Sequence, residues 1–287
     1  MGLVINTNVS SLIAQRNLNN NSIKVKSSFE KLASGLRINR AADDAAGLSI
    51  SETLKTQITG NQKAVANAQD GVNILQIAEG ALSVISDNLQ RIRELTVQAA
   101  NDTNATVERT AIASEIAERM KDINRIALST RGSNVHLLDG SMTTFNLQIG
   151  ANSDFTTNVL DIGPVMGNAT CESLGFSTDI SLISTGVGGA LSSGSACRTL
   201  LTDIDDAITS VSEKRSQLGA LQNRLESTIE SLSISIENLK STNSRIRDLD
   251  IASESAEMTK NQILQQSALS VLAQANQSPQ LALKLLQ

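Results

Sequence analysis

An interval of seven between apolar residues runs through the second half of the sequence and constrains the fold more than any other feature. Sustained over roughly 45 residues at ~1.5 Å rise per residue, this pattern predicts a coiled-coil helix of about 70 Å. Because an apolar stripe of that length cannot be left in water, the helix requires a partner helix. The residues of this predicted rod seam are Ile204, Val211, Leu218, Leu225, Leu232, Leu239 and Ile246.

The first half of the chain contains a matching stripe. Apolar residues step by threes and fours from Val65 to Ile92, and a further helical pattern covers Ile112 to Leu128. The only prolines are Pro164 and Pro279, so no proline interrupts a helix before residue 164. We therefore predict a mainly α fold, in which the N- and C-terminal halves form a long antiparallel coiled-coil or helical-bundle rod.

Residues 132–199 differ from their flanks, because most of the glycines lie there. Thr143 to Ile149 and Phe155 to Ile162 are apolar runs on either side of the turn-like sequence GANSD, and we predict a short strand for each. The expected structure is a small segment rich in β-hairpins that caps the rod. Its length leaves no room for a large outer domain.

The two ends of the chain are amphipathic but too poor in apolar residues to form cores of their own. We expect them to pair with each other and still present apolar surface to a partner. The alternative for Glu257 to Ala275, a helix lying on a membrane surface, is disfavoured because Lys260 is its only cation. The predicted interface residues are Val9, Leu12, Ile13, Ile263, Leu264, Leu269, Val271 and Leu272.

The composition argues against several classes of function. Aromatic residues make up 1% of the chain, which disfavours small-molecule pockets and platforms for single-stranded nucleic acid. The net charge of -5 has the wrong sign for tracking phosphates, so no nucleic-acid partner is expected. No apolar stretch is long enough to insert into a membrane, and the chain start does not have the pattern of a secretory signal peptide.

Reactive side chains are few. The single histidine, His136, cannot supply a His-rich metal site, and we expect it to be structural. Asp43 and Asp44 are neighbours in sequence, which favours a place at a helix N-terminus over a catalytic acid/base pair. Cys171 and Cys197 leave two options open, one disulfide or two free thiols. We predict no enzyme activity, no catalytic or metal site and no cofactor.

Five segments outside residues 130–200 carry a specific pattern: LASGLRINRAADDAAGLSISETLKTQI, AQDGVNILQIAEGAL, RIRELTVQAAN, LGALQNRLE and NQILQQSALSVLAQANQSPQ. They are similar to bacterial flagellin. The resemblance implies a structural subunit that polymerises into the helical flagellar filament for motility, exported by the flagellar type III system. The alternative is the hook-filament junction protein of the same family, which typically has DDP where this chain has Asp43, Asp44 and Ala45.

The resemblance also implies a division of the chain. Residues 1–42 and 250–287 would be terminal helices of the inner filament core. Residues 43–131 and 200–249 would form the helical rod domain, and residues 132–199 would be the short variable segment.

Several partners and sites follow from the same resemblance. Arg91, Leu95 and Glu115 match a segment that contacts neighbouring subunits and forms the epitope for Toll-like receptor 5. Besides other copies of the chain, the implied partners are a flagellin export chaperone at the C-terminal helix, the filament cap and the hook-filament junction proteins. The implied location is the extracellular flagellum, where exposed hydroxyls can be O-glycosylated. The candidate glycosylation sites are Ser192, Ser193 and Ser195.

Overall fold

The computed structural model describes residues 7–132, 134–175, 191 and 193–284 of the chain, without the side chains of 278–284. Long helices dominate these residues, which confirms the predicted mainly α fold. They are α1 (Val9–Ser34), α2 (Ala45–Ala99), α3 (Thr106–Ser129), α6 (Gly194–Arg247) and α7 (Ile251–Lys284). Among the described residues between α3 and α6 are two single-turn helices, α4 (Phe155–Asn158) and α5 (Gly163–Met166).

The strands lie in the predicted middle segment and are shorter than expected. β1 (Arg131–Gly132) pairs antiparallel with β2 (Val135–His136), and β3 (Asn146–Gln148) pairs antiparallel with β4 (Val159–Asp161). The expectation that Phe155 begins a strand is wrong, because this residue begins α4.

The side chain of Asp154 explains this difference. Its carboxylate accepts a hydrogen bond from the backbone N–H of Thr156, which caps a helical turn at the position where the strand was expected.

Contacts within the chain divide it into two compact units. The terminal unit consists of Met1–Ile58 and Glu237–Gln287, and the central unit of Thr59–Ile236. Helices α2 and α6 therefore each contribute to both units. The middle segment does not form a unit of its own.

The core of the central unit is formed by aliphatic side chains on one face each of α2, α3 and α6. The predicted helical periods had assigned these side chains to the buried faces. Of the predicted rod seam, Ile204, Val211, Leu218 and Leu225 are fully buried, whereas Leu232 is half-buried. The last two members, Leu239 and Ile246, belong to the terminal unit and are also half-buried. The stripe on α3 is buried through Ile112, Ile116, Met120, Ile123 and Ala127.

Part of the middle segment belongs to this same core. Leu147 of β3 is 7% exposed and packs over Gly71 of α2, where Leu225 of α6 also approaches the glycine. Leu160, Ile162 and Met166 are buried in the same cluster. The hairpin is therefore integrated into the helical core by aliphatic side chains.

Candidate functional site

Helices α1 and α7 lie antiparallel in the terminal unit. Near the start of α1, Asn8 donates a hydrogen bond from Nδ2 to the carbonyl oxygen of Ala275, at 2.7 Å. Just beyond its other end, the N–H of Leu249 donates to the carbonyl oxygen of Gly35, at 3.0 Å. The structure thus pairs the two chain ends, as the sequence predicted.

The faces on which α1 and α7 meet combine aliphatic side chains with small and polar ones. Covered residues recur at intervals of three and four on both helices, as in a coiled-coil seam, and the most buried include Ala14, Ser28 and Asn261. We call these faces the terminal seam. Its members are Ser11, Ala14, Leu18, Asn21, Val25, Ser28 and Leu32 on α1, and Met258, Asn261, Gln265, Ala268, Leu272 and Ala275 on α7.

Most of the larger aliphatic side chains of α1 and α7 nevertheless lie outside the terminal seam. Seven of the eight predicted interface residues are 44% to 58% exposed, and they form what we call the outward faces of α1 and α7. The eighth, Leu272, is half-buried in the terminal seam. Residues of both helices line two shared grooves, one containing Leu12 and Leu269 and the other Leu264 and Val271.

The two adjacent carboxylates between α1 and α2 act as local caps. Asp43 accepts hydrogen bonds from the backbone N–H groups of Arg40 and Asn39, and these bonds hold the pKa of its carboxyl below the ordinary value. Asp44 accepts from the N–H of Gly47, at 2.9 Å, and so caps the N-terminus of α2. The helix-terminal role expected for this pair agrees with the structure.

The ends of α1 and α6 cap each other. The N–H of Arg37 donates to the carbonyl oxygen of Arg247, at 2.7 Å, and the Arg37 guanidinium donates to the carbonyl oxygen of Ile246, also at 2.7 Å. Gly35, with a left-handed φ of 71°, ends α1 and turns the chain toward this contact. Carbonyls at the end of α6 that have no partner within the helix are satisfied in this way.

Arg247 ties the same end of α6 to α2. Its guanidinium lies 2.9 Å from the carboxylate of Glu52, and its side chain is only 20% exposed. The partial shielding from water makes this ion pair stronger than a fully exposed one.

A second set of charged residues lies on α2 and α3 of the central unit. Arg91 contacts Glu94 at 2.9 Å and Glu115 at 3.5 Å, and Glu115 also contacts Arg119 at 3.2 Å. The hydrogen bond to Glu94, followed by the charge of Glu115, raises the pKa of Arg91. Leu95 is 3% exposed and lies in the core. Its side chain therefore does not share the exposed surface of Arg91 and Glu115, and its predicted part in a contact stays a prediction.

The candidate glycosylation sites lie where α6 begins, except Ser192, which is outside the described residues. Ser193 Oγ lies 2.9 Å from Ser195 Oγ and accepts a hydrogen bond from the N–H of Ala196. Ser193 and Ser195 are both exposed, but Ser195 stands in the first turn of α6 and not in a loop.

The two cysteines are buried as free thiols, so the structure selects the second of the two options. Burial raises the pKa of Cys171 to about 11, and its thiol donates to the carbonyl oxygen of Met120. Burial likewise raises the pKa of Cys197. Both environments disfavour the reactive thiolate.

His136 contacts the backbone and no cluster of ligands. Its Nδ1 lies 2.8 Å from the carbonyl oxygen of Leu128. In the part of the chain that the structure describes, no group of three or more His, Cys, Asp or Glu side chains could hold a metal ion. Among the same residues, no helix is long and apolar enough to cross a membrane.

The mutual caps around Arg37 and Arg247 and the buried Asn261 were not predicted. The Asp44 cap had a local signal, an acidic residue just before a helical pattern. The contact between Arg37 and Arg247 had no local sequence signal. It joins residues far apart in sequence, so it depends on the tertiary structure that brings the ends of α1 and α6 together.

Comparisons with known protein families identify both flanks of the chain. The profile of the bacterial flagellin N-terminal helical region matches residues 5–143, and that of the bacterial flagellin C-terminal helical region matches residues 201–286. Together the two matches cover both units and leave out much of the middle segment.

Individual relatives match over nearly the whole chain. A flagellin from Halalkalibacterium halodurans is 42% identical, with 99% of this chain and 100% of the relative covered. The flagellar filament 33 kDa core protein of Treponema phagedenis is 40% identical, with the same coverage. A solved structure from Vibrio parahaemolyticus, described as flagellar hook-associated, is 15% identical and covers 72% of this chain and 98% of its own, with a TM-score of 0.55. That structural likeness concerns the fold alone.

Proposed function

The chain belongs to the bacterial flagellin family and is a structural subunit of the flagellar filament, not an enzyme; on this basis we propose that its terminal helices form the inner core of the filament. These helices correspond to residues 1–42 and 250–287. The observation that supports the proposal is the outward placement of aliphatic side chains on α1 and α7. The two relatives described above are named as a flagellin and a filament core protein, which favours the filament subunit over the junction protein.

The outward faces need a partner because they leave aliphatic side chains in water. Residues such as Leu12 on α1 and Ile263 on α7 remain more than half exposed, whereas the residues of the terminal seam are covered by the partner helix. Burying apolar surface is favourable at roughly 25 cal/mol per Å², so association of copies through these faces stabilises the assembly. An open helical filament requires contacts between different surfaces of neighbouring copies, and two faces on two helices can provide them.

The test compares deletion variants with point variants in seeded polymerisation, measured by sedimentation and electron microscopy. Removing residues 1–42 or 250–287 should abolish growth, whereas the central unit should keep its helical circular dichroism. Ile263→Asn should slow growth strongly because it places a polar group on the outward face. Val107→Asn is the matched control, because it places the same polar group at an exposed apolar residue of α3, outside the terminal helices, and should grow normally. Filaments of normal length from either deletion variant would contradict the proposal.

The rest of the chain is assigned by the same reasoning. We propose that residues 43–131 and 200–249 form a rod layer around the inner core, and that the short segment 132–199 faces outward without a bulky domain. The integration of Leu147 and Leu160 into the helical core supports the absence of a separate globule. A filament reconstruction with a detached outer body on each subunit would contradict this.

The charged residues around Arg91 are proposed as a subunit contact and as an epitope for Toll-like receptor 5. Arg91 and Glu115 support this role, because they are partly exposed and lie against each other on neighbouring helices. The test is a receptor reporter assay with purified monomer. Arg91→Ala should reduce the response, whereas Arg125→Ala, which removes an exposed pair with Asp122 on α3, should not. Equal responses from wild type and Arg91→Ala would exclude the epitope at this residue.

Further partners are expected to contact the exposed C-terminal helix, α7. We propose that a flagellin export chaperone covers the outward face of α7 before export through the flagellar type III system, and that the assembled chain meets the filament cap and the junction proteins outside the cell. A soluble complex with the chaperone that wild type forms and Ile263→Asn forms more weakly would support this.

The intact mass of native subunits tests O-glycosylation, for which Ser193 and Ser195 are exposed acceptors.

A further inference from the structure

Gly80 stands in the interior of α2, and nothing within one copy requires a glycine there. Its backbone is not left-handed, and a Cβ added to it would meet no described atom within 4 Å. Alanine would therefore fit both the conformation and the space. Glycine destabilises a helix interior relative to alanine, because it loses more backbone freedom on folding. The monomer thus carries a cost at Gly80 that its own described contacts do not explain.

Two other glycines of α2 show what an internal reason looks like. A Cβ added at Gly71 would collide with Leu147, and one added at Gly60 would collide with Ala151. Both of these neighbours belong to the segment of β3 and the loop that follows it, and the missing side chains let this segment pack closely on α2. Gly80 presents the same bare backbone, but no described segment of the chain approaches it.

The bare backbone of Gly80 lies between two exposed aliphatic side chains. Ile77 stands three residues before it and Val84 four residues after it, so the three residues share one face of α2. Ile77 is 47% and Val84 is 48% exposed, whereas Leu82 on the inner face is fully buried. We call Ile77, Gly80 and Val84 the notch face, because a glycine between two aliphatic side chains leaves a shallow depression in which a second helix can pack closely.

The notch face continues along α2 to the charged residues around Arg91. Arg91 follows Val84 by seven residues, or about 10 Å along the helix axis, and so returns to nearly the same side of α2. Its guanidinium lies 3.5 Å from the carboxylate of Glu115 on α3. The notch face and the proposed subunit contact at Arg91 therefore form one continuous strip. In a filament subunit, a neighbouring copy that contacts Arg91 is also within reach of Val84.

We infer that a second copy of the chain packs on the notch face, and that Gly80 allows a segment of this copy to approach the backbone of α2 closely. The inference rests on the subunit contact proposed at Arg91 and extends it along α2. It also gives the glycine a physical reason. The cost at Gly80 is present in the monomer, whereas the close contact that it permits is formed only in the polymer.

Gly219 of α6 offers a matched control. A Cβ added there also meets no described atom within 4 Å, and the backbone of Gly219 is not left-handed either. One turn to each side of it, however, stand the polar residues Arg215 and Gln222, which both contact Glu79 of α2. The same substitution should therefore stabilise the helix at both glycines, but only Gly80 lies between exposed aliphatic side chains.

The experiment uses the full-length chain and two readouts: urea unfolding of the monomer, and the critical concentration of monomer that remains beside seeded filaments after sedimentation. Gly80→Ala and Gly219→Ala should both raise the urea midpoint. Only Gly80→Ala should raise the critical concentration, by at least fivefold, because the added methyl group occupies the space of the second copy. Gly80→Leu should raise it further, and Gly219→Ala should stay within twofold of wild type. Weaker assembly of a more stable monomer cannot result from unfolding.

Unchanged critical concentrations for Gly80→Ala and Gly80→Leu would overturn the inference. Equal increases for Gly80→Ala and Gly219→Ala would also overturn it, since the effect would then not depend on the notch face. A weaker receptor response of Gly80→Ala with normal assembly would do the same, because the receptor and not a second copy would be the partner. The contact at Arg91 is judged separately by the assembly of Arg91→Ala, and the outward faces of α1 and α7 by Ile263→Asn. Failure of the proposed function can therefore be told from failure of this inference.

Discussion

Two glycines in α2 should respond oppositely to the same substitution. A Cβ added at Gly80 would meet no atom within 4 Å, whereas a Cβ added at Gly71 would collide with Leu147 Cδ1 and approach Leu225 Cδ1 to 3.3 Å. In an isolated helix both changes to alanine would stabilise, because glycine loses more backbone entropy on folding. The structure predicts stabilisation at Gly80 and destabilisation at Gly71.

The magnitudes follow from two opposing effects. Replacing glycine by alanine in a helix interior gains about 0.5–1 kcal/mol. Forcing one extra carbon into a well-packed core costs about 1–3 kcal/mol. Gly80→Ala should therefore raise the free energy of unfolding by about 0.5–1 kcal/mol, and Gly71→Ala should lower it by up to about 2.5 kcal/mol, the largest difference between those two effects.

The assay is urea unfolding of the monomer, followed by far-ultraviolet circular dichroism. Leu147→Ala, which alone should cost about 2–5 kcal/mol, provides the decisive background, because it removes the atom that collides. In that background Gly71→Ala should become neutral or stabilising, and the two substitutions should couple by about 1–3 kcal/mol. The reasoning is refuted if Gly71→Ala stabilises the wild-type chain as much as Gly80→Ala does.

Three further predictions concern single side chains. Asp44→Ala should lower the stability of the terminal unit by about 1 kcal/mol, since it removes the N-cap of α2, as thermal unfolding would show. The folded-state pKa of Cys171 lies above its ordinary value, so wild type should lose stability as the pH rises from about 9 to about 11, and Cys171→Ala should not show this part of the loss in urea titrations. The hydrogen bond from Arg93 lowers the pKa of Asp205, so its contribution is present at neutral pH and is lost only as the pH falls through the lowered value; in Arg93→Gln the pKa measured by carboxyl NMR should rise.

The helices were predictable because their cores repeat with a simple period. In α3, the residues that recur by threes and fours, such as Ile116 and Met120, are fully buried, so sequence pattern and burial agree. The strand expected from Phe155 failed because the local cap at Asp154 outweighed an apolar run that periodicity alone cannot classify. Likewise, nothing in the sequence around Leu147 shows that it fills the space over a glycine of α2.

The terminal helices show a different limit of sequence reasoning. The sequence pattern showed that both chain ends are amphipathic, and an interface was predicted on their apolar side chains. Val9 and Ile263 are exposed in the structure, and their part in an interface stays a prediction. The sequence pattern could not show that much of the apolar side of each helix faces water. An amphipathic pattern defines an apolar and a polar face, but it does not say which face packs against the rest of the same chain. Leu272 differs from the other seven predicted interface residues, since it is half-buried in the terminal seam.

The choice of face has an energetic consequence for a chain that must be both soluble and able to assemble. The terminal seam covers aliphatic side chains such as Leu18 and Leu272 beside the polar Ser28 and Asn261, so α1 and α7 bury only part of their apolar surface within one copy. The apolar side chains of the outward faces are covered only when another copy packs on them. The free energy gained by covering them belongs to the polymer and not to the monomer. An Asn261→Leu substitution should therefore strengthen the pair in the monomer without adding to the contacts between copies, and would narrow the difference in thermal stability between monomer and filament.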